Sequence, residues 1–503
     1  MHVVNVKSVA GWWTVALASV VSLAAVNDTR LIDAVKDSNA KRVQALVRER
    51  VDVNATAADG ATALHWAVHK DDLTTADLLM RAGARPNVAN DLGVTPLHLA
   101  CTNRSTAMVR RLLTAGANPN ATLLRGETVL MECARTGNAD AVGALLKAGA
   151  RVNETEAVNQ QTALMWAVAQ QHPKVVQALL EGGADIRARS RTYPQIVETG
   201  NRGGSGDVST VLRGGSTPLL FAARVGDVES ARLLIAAGAD VNDALPDGVS
   251  ALVLAAHSGH GALGALLLEK GADPNAAEAG YTALHAAIDR SDLSLVQALL
   301  GHGGNPNIRL AKGTPARRDS NDFQLASRLM GSTPYLLAAK FVEGEIMRAL
   351  SEGGADVQLA MPDGTTALML VAGHGETRAR TDFVRRNETR RQICVCDGGV
   401  VESESQVHAA MMVALAAGGD VNAVNKAGDT AMHFAAAMGF DSVVQLLADK
   451  GADVNVKNKR GLTPLALARG GGGRRGVPAD DEAGPDSSSA STTALLRRLG
   501  ATE

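Results

Sequence analysis

The chain has 503 residues, 46% apolar and 20% charged, a balance that excludes an intrinsically disordered protein. Its net charge of −2 lacks the cationic surplus that a dedicated nucleic-acid binder uses to displace counterions. Aromatics make up 3% and cysteines number four, so the core is built from Ala, Leu and Val, and a disulfide scaffold is excluded.

At the N-terminus, residues 9–25 are apolar apart from Thr14, Ser19 and Ser22. Lys7 precedes them and Ser22-Leu23-Ala24-Ala25 closes them, the pattern of a secretory signal peptide cut near Ala24 or Ala25. Residues 1–25 are therefore expected to direct export, to the periplasm or the medium. Left uncut, the same stretch sits at the short limit of a bilayer span and would anchor the protein. No Cys stands there for lipid attachment.

Beyond this segment the chain repeats. Gly60, Gly93 and Gly126 are 33 residues apart, as are Gly215 and Gly248, Gly331 and Gly364, and Gly428 and Gly461. Most of these are followed by Thr-Pro/Ala-Leu, as in Thr62-Ala63-Leu64 and Thr463-Pro464-Leu465. A second phrase, Gly-Ala-Asp/Asn-x-Asn, recurs about 23 residues later, as in Gly116 to Asn120 and Gly238 to Asn242. Thr caps a first helix, and Pro takes its first turn, where a missing N–H costs nothing. A second helix follows with apolar residues three and four apart, such as Val228, Ala231, Leu234 and Ile235. Gly238 ends it, and Asp and Asn turn the chain toward the next unit.

The 33-residue period, with Thr95-Pro96-Leu97-His98-Leu99-Ala100 and Gly451-Ala452-Asp453-Val454-Asn455, resembles the ankyrin-repeat family. More narrowly, it is similar to the exported, insertion-bearing ankyrin proteins of bacteria. The resemblance implies an all-α fold, an α-solenoid of about twelve repeats with short β-hairpin fingers. A capping repeat is expected over 26–59 and repeats over 60–186, 215–310, 331–375 and 407–469. A closing helix is expected over 492–503. Four insertions break the period, at 187–214, 311–330, 376–406 and 470–491. The first two fall in fingers and the last two between paired helices. The resemblance places these at opposite ends of the helices.

Few residues suggest chemistry. His65, His98, His285 and His433 each stand three residues after a capping Thr or its equivalent. There the resemblance implies hydrogen bonds within and between repeats rather than metal binding. Cys101 and Cys133 occupy small-residue positions of first helices and are expected as core residues; an oxidising compartment would allow them to pair, against helix packing that is expected to hold them apart. Cys394-x-Cys396 lacks the further ligands of a thiolate metal site. His257, Ser258 and His260 form no triad, and no phosphate loop, H-E-x-x-H or G-x-S-x-G is present. No catalytic, cofactor or metal site is expected.

In the family that the chain resembles, partners are met by hairpin tips and by the ends of first helices. The matching helix positions are His69, Lys70, Arg135, Arg224, His257, Asp289, Arg290, Lys340 and Phe341. The finger positions are Asp247, Tyr281, Met330 and Asp363. Arg and aromatic residues, here Arg224, Tyr281, Arg290 and Phe341 beside Lys340, most often dominate binding energy. Arg187, Arg189, Arg191, Arg309, Arg317 and Arg318 give the first two insertions a basic lip suited to an acidic partner. The expected function is a non-enzymatic, monomeric scaffold that binds another protein through a concave face. It needs no cofactor, nucleic acid or membrane insertion after cleavage. The alternatives are a secreted or membrane-tethered effector, or an enzyme or metal site built in the insertions.

Overall fold

A computed structural model describes residues 28–198, 208–313, 329–373, 404–469 and 487–502. The chain divides into two units, residues 1–121 and 122–503. The first contains α1 (Arg30–Lys36), α2 (Ala40–Arg48), α3 (Ala63–His69), α4 (Leu73–Arg81), α5 (Pro96–Thr102) and α6 (Thr106–Thr114). Within it α1 packs on α3 and α3 on α5, while α2 packs on α4 and α4 on α6. First helices are buried almost all round, as Leu64, His65, Ala67 and Val68 show in α3. Second helices bury one stripe, Thr75, Ala76 and Leu79 in α4.

The second unit begins with α7 (Val129–Thr136), α8 (Ala139–Lys147), α9 (Ala163–Ala169) and α10 (Pro173–Glu181). A hairpin follows, β1 (Tyr193–Glu198) and β2 (Val208–Arg213), antiparallel with Tyr193 opposite Arg213 and Ile196 opposite Thr210. Next come α11 (Pro218–Val225), α12 (Val228–Ala236), α13 (Ala251–Ser258), α14 (Gly261–Glu269), α15 (Ala283–Asp289) and α16 (Leu293–Gly301). After them stand α17 (Pro334–Lys340), α18 (Gly344–Glu352), α19 (Ala367–Ala372) and α20 (Glu404–Ala416). The unit ends with α21 (Ala431–Met438), α22 (Asp441–Asp449), α23 (Pro464–Arg469) and α24 (Ser487–Arg498). First helices pack in succession from α7 to α23, and second helices from α8 to α24.

The capping Thr and the His three residues on form a closed local circuit. The Thr62 amide donates to His65 Nδ1 at 3.1 Å, so the ring proton sits on Nε2, which donates to the Val94 carbonyl at 3.0 Å. The same circuit joins Thr430, His433 and the Leu462 carbonyl in the second unit.

A longer link comes from the last Asn of the Gly-Ala-Asp/Asn-x-Asn phrase. In the first unit Asn54 Nδ2 donates to the Gly83 carbonyl at 3.0 Å, while its Oδ1 accepts from the Arg85 amide at 2.8 Å. Asn87 repeats the pair on Gly116 and Asn118. In the second unit Asn153, Asn275 and Asn422 do the same to the repeat that follows each. Three such links cross insertions. Asn307 reaches Gly354 and Asp356, Gln358 reaches Gly418, and Asn455 reaches Gly500 and Thr502. Beyond each of these three insertions the frame therefore resumes in register.

The first two insertions close at matching roots. Ser190 exchanges backbone bonds with Ser216 and Gly215, as Leu310 does with Ser332 and Gly331. Beside each root an arginine holds the frame. Arg189 donates to the Gly215 and Ala244 carbonyls and pairs with Asp243. Arg309 donates to the Gly331 and Ala360 carbonyls at 2.5 and 2.9 Å. This corrects the basic lip: Arg189 and Arg309 are structural clasps, Arg187 and Arg191 are exposed, and Arg317 and Arg318 lie outside the described residues. The hairpin adds a β element beyond the short fingers expected. The closing helix also starts earlier, at Ser487, and Asp441 accepts from its Ser491 and Thr492 hydroxyls.

Leu234, at 0% exposure in α12, reports on this packing. Leu234→Ala is expected to cost about 2–5 kcal/mol in urea unfolding, and a loss below about 1 kcal/mol would contradict the register.

Candidate interaction surface

First-helix ends define one register position per repeat, one residue short of the turn into the second helix. In the second unit Arg224 and Lys340 reach it from α11 and α17, and Arg135 lies at the end of α7. Arg135 and Arg224 are exposed, while His257, Arg290, Lys340 and Phe341 are half-buried. Arg135 forms an ion pair with Glu132 at 2.6 Å, whose hydrogen bond raises the arginine's pKa further. Arg224 lies over the Phe221 ring at 5.9 Å.

The turns beneath this row are stitched between layers. His172 Nε2 meets the Arg135 carbonyl at 3.1 Å, and His260 Nε2 meets that of Arg224 at 3.1 Å. Arg290 Nε donates to the His257 carbonyl at 2.7 Å. Gly226, at φ +76°, is required here: a Cβ would come within 2.5 Å of the His260 ring. His260 is thus structural, and Arg290 spends part of its guanidinium on the frame.

Two expected contact residues are corrected. Asp289 shares the register of Arg224 and Lys340 but is only 5% exposed. Its single methylene cannot lift the carboxylate past its neighbours, as the long stems of Arg and Lys do. Tyr281 is 4% exposed, not at a tip. It precedes the capping Thr282, where the side chain turns under the finger; Ala61, Ser216 and Val249 are buried at the same position. Burial, with Asp247 nearby, pushes its phenol up to about 12. Asp247, Met330 and Asp363 are exposed, and the two acids shape their own turns.

In the first unit His69 and Lys70 are exposed at the end of α3. Lys70 Nζ donates to the Lys36 carbonyl and to Ser38 Oγ, tying α3 to α1. His69 stacks edge-on against Trp66, which Lys36 covers at 4.6 Å.

Cys101 and Cys133 are fully buried, and each is disulfide-bonded rather than a free core thiol. Cys394 and Cys396 lie outside the described residues. Among the described residues no group of three His, Cys, Asp or Glu side chains is placed to hold a metal ion. Among them, too, no helix is long and apolar enough to cross a membrane.

Sequence reasoning missed the inter-repeat role of the asparagines, the two arginine clasps and the hairpin. The β-branched pairs Ile196-Val197 and Thr210-Val211, either side of Gly203-Gly204, were the available signal for the hairpin.

A family model described as "Ankyrin repeats (3 copies)" matches residues 31–123, 107–190, 219–310 and 403–473. Among curated proteins, the chain is 27% identical over 141 residues to "Neurogenic locus notch homolog protein 1" of Xenopus tropicalis. It is 30% identical over 150 residues to "Nuclear factor NF-kappa-B p105 subunit" of Gallus gallus. These matches cover 27% and 28% of this chain but only 6% and 15% of the respective relatives.

Burial holds His285 neutral, with its pKa lowered to about 4. Unfolding exposes a ring that takes a proton below its ordinary value near 6.5. The unfolded state then binds more protons, so stability falls as pH drops from about 6.5 to about 4. The expected loss from His285 is on the order of 3 kcal/mol, read from urea midpoints across that window. His285→Gln should flatten this part of the profile, and an unchanged slope would refute the assignment.

Proposed function

Because the chain belongs to the ankyrin-repeat family, we propose that it is a non-enzymatic scaffold that binds another protein through the helix-end row of its second unit. The observation that carries this reading is the row itself. Arg135, Arg224, Arg290 and Lys340, with Phe341, put long cations and an aromatic at the ends of first helices in one packed series. Arg and aromatic side chains are enriched among residues that dominate interfaces. Bonds from His172 and His260 to the Arg135 and Arg224 carbonyls hold those two backbones in place, which lowers the ordering cost of binding.

The proposal extends to export from a bacterial cell. Lys7, the apolar residues 9–25 and the small residues at Ala24 and Ala25 support a cleaved signal segment. The bonded cysteines support an oxidising compartment, where disulfides persist. The mature protein is then a periplasmic or secreted monomer.

Affinity capture with crosslinking tests the scaffold reading. The bait is the mature chain, compared with a form carrying Arg224→Glu, Lys340→Glu and Phe341→Ala. A protein captured by the first and reduced at least about tenfold by the second is the expected result. Equal capture by both would move the surface elsewhere, and no capture by either would refute the scaffold. N-terminal sequencing of the exported protein should begin within a residue or two of Ala25; an intact Met1 would refute cleavage.

A further inference from the structure

We propose that the repeat link over the third insertion is completed by one buried water molecule, held between the Tyr335 hydroxyl, the Gln358 side chain and the Asp420 amide. The site lies away from the interaction surface above, inside the junction of α18 with α20.

Two departures from the repeat pattern meet at this junction. In neighbouring repeats the second residue of the first helix is apolar: Leu284 in α15, Leu368 in α19 and Met432 in α21, each at most 1% exposed. In α17 it is Tyr335, also 1% exposed. The ring suits that layer, but it carries a hydroxyl into it. That oxygen has no hydrogen-bond partner among the described residues. Burying a hydroxyl unbonded is costly, so folded proteins satisfy nearly all such groups with protein atoms or ordered water. Burial also pushes the phenol up to about 12, so the group keeps its proton and can donate it.

The second departure is Gln358, which stands where the other links have Asn. Asn307 and Asn422, in the links before and after it, each bond a glycine carbonyl and the amide two residues further on. Those amides, of Asp356 and Asp453, donate at 2.8 and 2.9 Å. Gln358 Nε2 donates to the Gly418 carbonyl at 2.7 Å, yet the Asp420 amide makes no matching bond among the described residues. Gln is one methylene longer than Asn. Its amide group overshoots the place from which Asn serves both partners.

The unmatched groups share one cavity. Tyr335, Gln358, Thr366 and Asp420 line it, with apolar walls that include Leu368 and Ala414. Its volume of about 10 Å³ admits one water and nothing larger. Water also matches the groups in kind. Its oxygen accepts from the Tyr335 hydroxyl and the Asp420 amide, and one of its protons goes to Gln358 Oε1. Those are the three bonds that a buried water usually makes. A cation would offer the amide no lone pair. A water is not tethered to the chain as an Asn carbonyl is, so this link yields more readily than its neighbours.

Oxygen-17 relaxation dispersion on the mature chain counts long-lived internal waters, and Tyr335→Phe should lower the count by one at unchanged far-UV circular dichroism. A crystal structure of the parent protein should show one solvent peak within about 3.2 Å of Tyr335 Oη, the Asp420 nitrogen and Gln358 Oε1, and Tyr335→Phe should lose it. Combining Tyr335→Leu with Gln358→Asn restores the residues of the other links. That variant should also lose the water, and its Asp420 amide should exchange about tenfold more slowly than in the parent, because a direct acceptor replaces the water. A parent structure with no solvent peak there would overturn the proposal. So would a peak or a water count that Tyr335→Phe leaves unchanged, or an Asp420 amide that exchanges no more slowly in the double variant.

Discussion

The side-chain amide of an asparagine fixes the register of one repeat on the next. Its NH₂ donates to the glycine carbonyl that closes the following second helix, and its oxygen accepts from the amide two residues later, as Asn275 does with Gly303 and Asn305. One planar group thus satisfies a helix-end carbonyl and a turn amide at once. Each neutral bond is worth about 1 kcal/mol, modest beside the apolar burial. What the pair adds is position: it holds the finger of one repeat against the helix end of the next. The apolar layers of Ala, Leu and Val then pack in a single register.

That constraint explains how the chain tolerates its insertions. Asn307, Gln358 and Asn455 reach across 47, 60 and 45 residues of sequence to the same acceptor position. The first insertion is the exception. Arg187 stands where the linking Asn belongs, and the root there keeps only the Arg189 clasp on the Gly215 and Ala244 carbonyls, which Arg309 repeats at the second insertion beside its Asn307 link. A frame closed this way leaves tips and helix ends free to vary, which suits a molecule whose work is done by its surface.

The helix pairs were legible because their signals are local. Thr95, Pro96 and His98 specify a start, and the stripe of Ala231 and Leu234 specifies a buried face, within one turn or two. Surface identity was less legible, because exposure depends on what the neighbouring repeat covers. Arg224 and Asp289 share one position, yet only the longer side chain clears its surroundings. Tyr281 looked like an interface aromatic, but the residue before the capping Thr turns inward. The Asn of the recurring phrase was visible as a turn former. Its partner lies about thirty residues away, beyond the reach of a local pattern. Arg189 and Arg309 read as free cations for the same reason.

Hydrogen exchange on Asn307→Ala tests the register-linking role most directly, since this side chain is the bridge over the second insertion. The amide of Asp356 and those of the surrounding turn, with the last turn of α18, should exchange roughly tenfold faster than in the parent protein, while α11 to α13 keep their protection. Unchanged exchange at Asp356 would show that apolar packing alone sets the register, and the asparagine link would lose its place in the account.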